Sequence, residues 1–191
     1  MNIIQLNEKT IEFSSTKLFS MYLAEAGALN DLRASTKRVA GDSDRENSDS
    51  KGTLDGVKYI AYEDNQQLLI SATTKSKKGN DYQTQIMFEG VEYHQEDEQG
   101  LATFMGAEGS DHTISKLNDS ATHVKVACGC MDFYYRFAQY NFDNGTLLGD
   151  KPPPYAKKPG SNRPSVNPTR EPGMCKHLFG LMDHLKQQGF F

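Results

Sequence analysis

The residues of this chain best suited to chemistry are three cysteines and one histidine, arranged in two close pairs. Cys128 and Cys130 form the first pair, and Cys175 and His177 form the second after a spacer of 44 residues. The chain has no other cysteine. Thiolate sulfur and imidazole nitrogen are ligands that a tetrahedral Zn²⁺ ion accepts, so the pattern predicts a zinc site with four protein ligands.

The first pair is predicted to lie at the end of a β-strand. Residues 124–128 alternate apolar and polar types, and the β-branched residues Val124 and Val126 are two positions apart. This alternation is typical of a half-buried strand. Residues two apart on a strand project to the same face, so Cys128 and Cys130 can reach one ion. Gly129 between them permits a tight backbone at this point.

The second pair is predicted to lie at the start of a helix. Residues two apart on a regular helix point to nearly opposite sides, so Cys175 and His177 cannot share one ion from mid-helix. Pro172-Gly173 interrupts the chain just before them, and apolar residues at helical spacing follow. The positive end of that helix and Lys176 would offset part of the thiolate charge. The apolar positions are Leu178, Leu181, Met182 and Leu185, and Gly189 follows as a stop signal.

This pattern resembles the SWIM-type zinc finger, in which two strands and one helix close on one zinc ion. The matching positions are Cys128, Cys130, Cys175 and His177, and the resemblance covers roughly residues 120–188. It implies a structural zinc held by a β-hairpin and a helix. The spacer departs from the family because it is long and proline-rich, so the surface between the ligand pairs is remodelled.

The same region is also similar, more loosely, to small virion proteins of tailed bacteriophages. This second resemblance rests on the overall likeness of several segments rather than on a defined signature. It implies a structural role in a virion. The segments are 127–133, Tyr135-Arg136-Phe137, Asn167-Pro168 and 172–178.

Other interpretations of the cysteines stay open at the level of sequence. Free cysteines are often buried in a core, and Cys128 and Cys130 could instead form a disulfide. An iron–sulfur cluster usually takes four thiolates, and a nucleophilic Cys175 with His177 as base lacks a third orienting group. His184, seven positions after His177, is the alternative imidazole ligand. Four protein ligands leave no open position for catalysis, so the pattern favours a structural site.

The rest of the chain predicts an α+β fold: an antiparallel β meander with flanking helices and a C-terminal SWIM-like unit. Short strands are expected within residues 3–13, and an amphipathic helix after Ser14-Ser15-Thr16 that ends near Gly27. An aromatic helix over 132–141 is expected to begin with Asp132 as its cap. The meander strands are residues 57–62, 68–74 and 82–88.

Two regions are expected, an acidic α+β body over 1–119 and the SWIM-like region over 120–191. Residues 131–191 carry eight Lys/Arg and five Asp/Glu, whereas the first 130 residues carry thirteen against twenty. Residues 40–56 contain almost no large apolar side chains, so we expect a mobile loop. All seven prolines lie in the insertion 150–173, which favours extended polyproline II backbone.

The charge distribution argues against general binding of duplex DNA, which requires a dense basic patch. Five carboxylates without a cation between Glu89 and Glu98 are expected to form a solvated acidic face. The histidines at 94, 112 and 123 have no partner spacing and are expected to be ordinary surface or turn residues. Basic side chains of the insertion offer contacts to phosphate or a protein partner, although such a set is more typical of a solvated loop. They are Lys151, Lys157, Lys158, Arg163 and Arg170.

Taken together, these features predict a non-enzymatic, zinc-stabilised structural protein of a multi-subunit assembly, a head or tail component of a tailed-phage virion. Its partners would be other subunits, with no membrane and no small-molecule substrate, and it would be made in the host cytoplasm. No secretory leader or apolar run approaching 18 residues is expected, and metal-binding thiols fit a reducing compartment. The alternative is a cytoplasmic SWIM-like adaptor that binds nucleic acid or protein.

Overall fold

The computed structural model describes residues 27–40, 51–77, 79–95, 99–153, 160 and 165–191. Within these residues the fold is α+β, with antiparallel sheets of four and three strands and with three helices, which confirms the predicted class. The strands predicted within 3–13, the helix predicted after Ser14 and residues 41–50 of the predicted mobile loop lie outside the described residues. None of the described helices is long and apolar enough to cross a membrane.

The strands form two separate sheets. In the four-stranded sheet the order is β1-β2-β3-β7, and in the three-stranded sheet it is β4-β6-β5, with antiparallel neighbours throughout. In chain order the strands are β1 Thr53–Tyr62, β2 Gln67–Lys75, β3 Asp81–Glu89, β4 Tyr93–His94, β5 Ala102–Met105, β6 Asp111–Ile114 and β7 His123–Cys128.

Three helical segments accompany the sheets. Helix α1 is Leu29–Ala40 and helix α3 is Lys176–Gln187. Helix α2 is continuous but changes type, with α-helical Met131–Phe133, π-helical Tyr134–Ala138 and α-helical Gln139–Asp143. In addition, a 3₁₀ turn, Glu63–Asn65, joins β1 to β2.

The predicted meander is confirmed as strands β1, β2 and β3. Its register aligns Ile60 with Leu69 and Leu69 with Met87 across the three strands. Strand β1 begins at Thr53, four residues before the predicted start, and so extends into the stretch predicted as a loop. Helix α1 was not predicted, because the polar residues Ser35 and Thr36 occupy buried positions and interrupt its apolar pattern.

One hydrophobic core includes residues of both predicted regions. Strand β7 pairs with β3 from Thr84↔Cys128 to Glu89↔His123, so the strand that leads to the first cysteine pair belongs to the main sheet. Its other edge is occupied by the chain after α2, because Val126 N donates to Thr146 O over 2.9 Å. After Cys130 the chain enters α2 directly.

Helix α3 covers one face of the four-stranded sheet and packs against β1, β3 and β7. Its apolar residues at the predicted spacing are fully buried. After α3, Gly189 adopts a left-handed conformation with φ of 80°, as expected for a glycine that stops a helix. The buried residues of α3 include Leu178, Leu181, Met182 and Leu185.

Candidate metal centre

The structure brings the four predicted ligands together in one compact cluster. Cys128, Cys130, Cys175 and His177 each offer a ligand atom, and these atoms all lie within 4.8 Å of one another. All four residues are buried, with exposed fractions of 8, 3, 0 and 3% respectively. A buried Cys₃His cluster of this size could hold a metal ion.

Cys130 joins the end of β7 to the start of α2. It is the N-cap residue of the helix, with an extended backbone at φ −79° and ψ 149°, and its Sγ accepts a hydrogen bond from Phe133 N over 3.3 Å. The prediction that Asp132 caps this helix was wrong, since Asp132 lies inside the first turn. Its carboxylate accepts a hydrogen bond from Arg136 Nε over 3.2 Å instead.

Cys175 occupies the equivalent position at the start of α3. Its backbone is extended, at φ −82° and ψ 167°, and the helix begins at Lys176. His177 is therefore the second helical residue, which confirms that the pair spans a helix start. Two helix N-termini thus adjoin the cluster, and their positive ends favour negatively charged thiolates there.

Buried hydrogen bonds fix the backbone just before Cys175. The side chain of Asn141 in α2 donates to Gly173 O over 2.9 Å and accepts from Gly173 N over 3.1 Å. Thr36 in α1 accepts from Met174 N over 2.8 Å. These contacts come from helices far away in the sequence, and they set the position at which Cys175 enters the cluster.

Gly173 has no room for a side chain. A Cβ atom at this position would lie 2.6 Å from a ring carbon of Phe137 and 2.7 Å from Thr36 Oγ1, and both neighbours are buried. By contrast, the nearest atom to a Cβ at Gly129 is 3.8 Å away, and the Gly129 backbone is not left-handed. The glycine between the first two cysteines is therefore not required for space.

We expect Gly173→Ala to destabilise the protein by about 1–3 kcal/mol, because Phe137 and Thr36 must move to admit the methyl group. Urea denaturation followed by circular dichroism measures this effect. Gly129→Ala is the matched control and should change the free energy of unfolding far less. Equal losses in the two variants would show that the close packing at Gly173 is not the cause.

The sulfur of Cys128 also faces a pair of buried threonines. Thr84 Oγ1 lies 3.8 Å from Cys128 Sγ and 2.8 Å from Thr74 Oγ1. On the neighbouring side, the ring of Tyr82 stacks on His177 with 4.9 Å between the ring centroids. Strands β2 and β3 therefore supply a neighbouring polar layer that orients the ligands.

The ring of His177 fits a metal ligand. Its Nδ1 lies 3.8 Å from Cys128 Sγ, and its Nε2 is buried with no hydrogen-bond partner in the described part of the chain. Leaving a buried polar group without a partner costs about 1–3 kcal/mol. A metal ion in the cluster would give one of the two ring nitrogens a strong partner.

The three thiols of the cluster shift one another's pKa values in opposite directions. Hydrogen bonds with Cys128 and then with Cys175 hold the pKa of Cys130 far below the usual thiol value. The hydrogen bond with Cys130 raises the pKa of Cys128 to about 12. Burial is the main cause that raises the pKa of Cys175. A cation bound in the cluster would displace the protons that the thiols carry.

The structure decides among several of the other interpretations. All three cysteines are free, so Cys128 and Cys130 do not form a disulfide. His184 Nε2 lies 3.1 Å from the hydroxyl of Tyr59, and His184 does not belong to the cluster. Of the predicted acidic face, residues 96–98 lie outside the described residues, and Glu89 accepts a hydrogen bond from Lys125 over 2.7 Å.

Two of the five predicted basic contact residues are described. Lys151 is exposed and its Nζ lies 5.4 Å from the centroid of the Phe142 ring, and Arg170 is exposed with φ of 58°. Lys157, Lys158 and Arg163 lie outside the described residues.

No protein-family model, curated protein or solved structure matches this chain.

Proposed function

We propose that this chain is a non-enzymatic protein whose Cys₃His cluster binds one structural Zn²⁺ ion. The main support for this proposal is the geometry of the cluster: four ligand atoms lie within 4.8 Å of one another, and all four residues are buried. Four protein ligands complete a tetrahedral zinc shell and leave no position for a substrate. Zinc in such a site contributes free energy to folding rather than chemistry to a reaction.

The four ligands would connect three elements of the fold. Cys128 ends β7, Cys130 begins α2, and Cys175 and His177 begin α3. The site would therefore hold the edge strand of the main sheet against the two helices that follow it in the chain. This arrangement supports a structural rather than a catalytic role for the ion.

We further infer that the chain is a subunit of a larger assembly, and we favour a head or tail component of a tailed-phage virion. Support for an assembly comes from large apolar side chains at the surface of α2: Met131, Tyr135 and Phe142 are 56, 38 and 39% exposed. A helix that presents such residues is suited to contact with another protein. The phage assignment is supported by the likeness of the zinc region to small phage virion proteins.

We expect purified protein to contain one zinc ion per chain and to associate with itself or with other virion proteins. Elemental analysis measures the first quantity, and size-exclusion chromatography with mass measurement tests the second. A protein without zinc would overturn the metal assignment. A zinc-loaded chain that stays monomeric, and that never enters particles when co-expressed with other virion proteins, would overturn the assembly role alone.

A second candidate function is a SWIM-like adaptor that binds nucleic acid. This function is favoured by Lys151 and Arg170, which are exposed near the two ends of the proline-rich insertion. If this function holds, a gel shift with nucleic acid weakens with rising salt and is lost in the Lys151→Ala/Arg170→Ala variant. Lys58→Ala, which removes an exposed lysine of β1, is the matched control.

A further inference from the structure

His112 on β6 lies between two carboxylates that belong to different turns. Its Nδ1 is 2.7 Å from Glu63 Oε1, and its Nε2 contacts Glu108 Oε1. Glu63 belongs to the 3₁₀ turn between β1 and β2, whereas Glu108 belongs to the turn between β5 and β6. The side chain of His112 is only 11% exposed, since the ring of Phe104 stacks on it at 5.5 Å.

The number of protons on the His112 ring decides whether both contacts are hydrogen bonds. An ionised carboxylate can only accept, a neutral imidazole carries one N–H, and an imidazolium carries two. Glu63 and Glu108 can therefore both accept from His112 only when the ring is doubly protonated. A carboxylate oxygen lies against each ring nitrogen, which is the arrangement that an imidazolium between two carboxylates requires.

In the described part of the chain, Ser110 and Tyr93 are further polar groups against this ring. Ser110 Oγ donates to Glu108 Oε1 over 2.7 Å and lies 3.3 Å from His112 Nε2. The ring of Tyr93 meets His112 edge-on, and its hydroxyl donates to Gln67 O over 2.7 Å. Burial is the main cause that raises the pKa of Tyr93 to about 12, so Tyr93 stays neutral while His112 titrates.

The electrostatics agree with the geometry. Burial lowers the pKa of His112, but the hydrogen bonds with Glu108 and Glu63 outweigh it and hold that pKa above the ordinary value of 6.5. The hydrogen bond with His112 is in turn the main cause that lowers the pKa of Glu108 to about 2. The Glu108 carboxylate is therefore ionised, and available to an imidazolium, in mildly acidic solution.

We propose that His112 is a pH-sensitive clamp, which fixes the β5–β6 turn while its ring is doubly protonated and frees Glu108 when Nε2 loses its proton. The lone pair then exposed on Nε2 repels the Glu108 carboxylate toward solvent, and the Ser110 hydroxyl donates to Nε2 in its place. The Nδ1–H bond to Glu63 remains. Met105, just before this turn, is 67% exposed, so the release changes the surroundings of an apolar surface residue.

The direction of the pH effect follows from the sign of the pKa shift. A histidine whose pKa is raised by folding stabilises the folded state fully below its unfolded pKa of about 6.5. That contribution is lost as the pH rises through the higher folded value. The clamp is therefore closed in mildly acidic solution, and it opens as the pH rises through the folded pKa of His112.

Nitrogen NMR of the full chain, titrated from acidic to alkaline pH, tests the clamp. We expect His112 to show two N–H groups at pH 6.5, to lose one at higher pH, and then to keep the Nδ1–H tautomer. The amide resonances of Glu108 and Gly109 should shift in the same transition. A ring that is mostly neutral at pH 6.5, or that keeps Nε2–H after titrating, would overturn the proposal.

Two variants with the same change of charge separate direct contact from general electrostatics. Glu108→Gln should lower the midpoint of the His112 titration, because it removes the carboxylate at Nε2. Asp64→Asn, in the same turn as Glu63, is the matched control and should shift the midpoint much less. Equal shifts in the two variants would overturn the proposal, since the contact with Glu108 would then have no special effect. Glu108 is exposed, so neither variant is expected to unfold the protein.

Discussion

Cys175→Ser is expected to abolish zinc binding and to unfold most of the described structure at room temperature. Structural zinc sites in small modules contribute an apparent free energy of about 10–16 kcal/mol at neutral pH. Domains of this size have a free energy of unfolding of only about 5–15 kcal/mol. The free energy lost with the ion is therefore comparable to the whole stability of the fold. Loss of the far-ultraviolet dichroism and of resistance to protease, together with zinc analysis, measures the result.

The extent of unfolding in Cys175→Ser follows from the position of β7. On sequence alone, loss of a ligand would be expected to unfold residues 120–188 and spare much of the meander. Because β7 pairs with β3 and shares the core with β1 and β2, we now expect the main sheet to be lost as well. A chelator should reproduce this in the wild type, and added zinc should reverse it there but not in the variant. A variant that keeps wild-type protease resistance would show that no metal stabilises this fold.

Asn141→Ala is expected to have the second largest effect. The Asn141 side chain is fully buried and pairs with both backbone polar groups of Gly173, and Thr146 Oγ1 donates to its Oδ1 over 2.8 Å. Each buried polar group left without a partner costs about 1–3 kcal/mol, so we expect a loss of about 3–5 kcal/mol. Weaker zinc binding should accompany it, because Gly173 lies two residues before Cys175. Urea denaturation and competition with a zinc-binding dye measure the two quantities.

Asn144→Ala provides the control for Asn141→Ala. Asn144 lies in the turn after the same helix, is exposed, and donates a single side-chain hydrogen bond to Tyr140 O over 2.8 Å. Its replacement should cost less than about 1 kcal/mol and leave zinc affinity unchanged. If both variants lost the same stability, the pairing of Asn141 with Gly173 would not be what holds the chain before Cys175.

The residues of the candidate metal centre could be predicted because their signals are local. Cys128 and Cys130 follow an alternating strand pattern, and Cys175 and His177 precede a run of apolar residues at helical spacing. Each signal is contained in fewer than about a dozen neighbouring residues. The α+β class could be predicted for the same reason, because the meander strands carry their own alternation.

The hydrogen bonds that position the candidate centre could not be predicted, because they join residues far apart in the sequence. Thr36 and Met174 are separated by 138 positions, and Asn141 and Gly173 by 32. Nothing in the neighbourhood of Asn141 marks it as buried, since asparagine is usually exposed. The short strands β5 and β6 were missed as well, because four residues give too little alternation to recognise.

His112 shows the same limit in a charged residue. It was expected to be an ordinary surface or turn histidine, yet it contacts two carboxylates and is largely buried. Glu108 lies four positions earlier, but Glu63 lies 49 positions away and meets His112 where Tyr59 of β1 contacts Phe104 of β5. Sequence spacing can therefore indicate the contact with Glu108 but not the contact with Glu63.

Cys130 and Cys175 are each the N-cap residue of a helix as well as a candidate ligand, and the sulfur of Cys130 also accepts a hydrogen bond from Phe133 N. At Cys130 a single side chain would therefore have to serve both the start of α2 and the ion. Aspartate at 130 would still start the helix but would weaken the hold on a soft ion, and histidine at 130 would do the reverse. A replacement of Cys130 would therefore alter the start of α2 and the proposed ion site together, so that neither could be adjusted without the other.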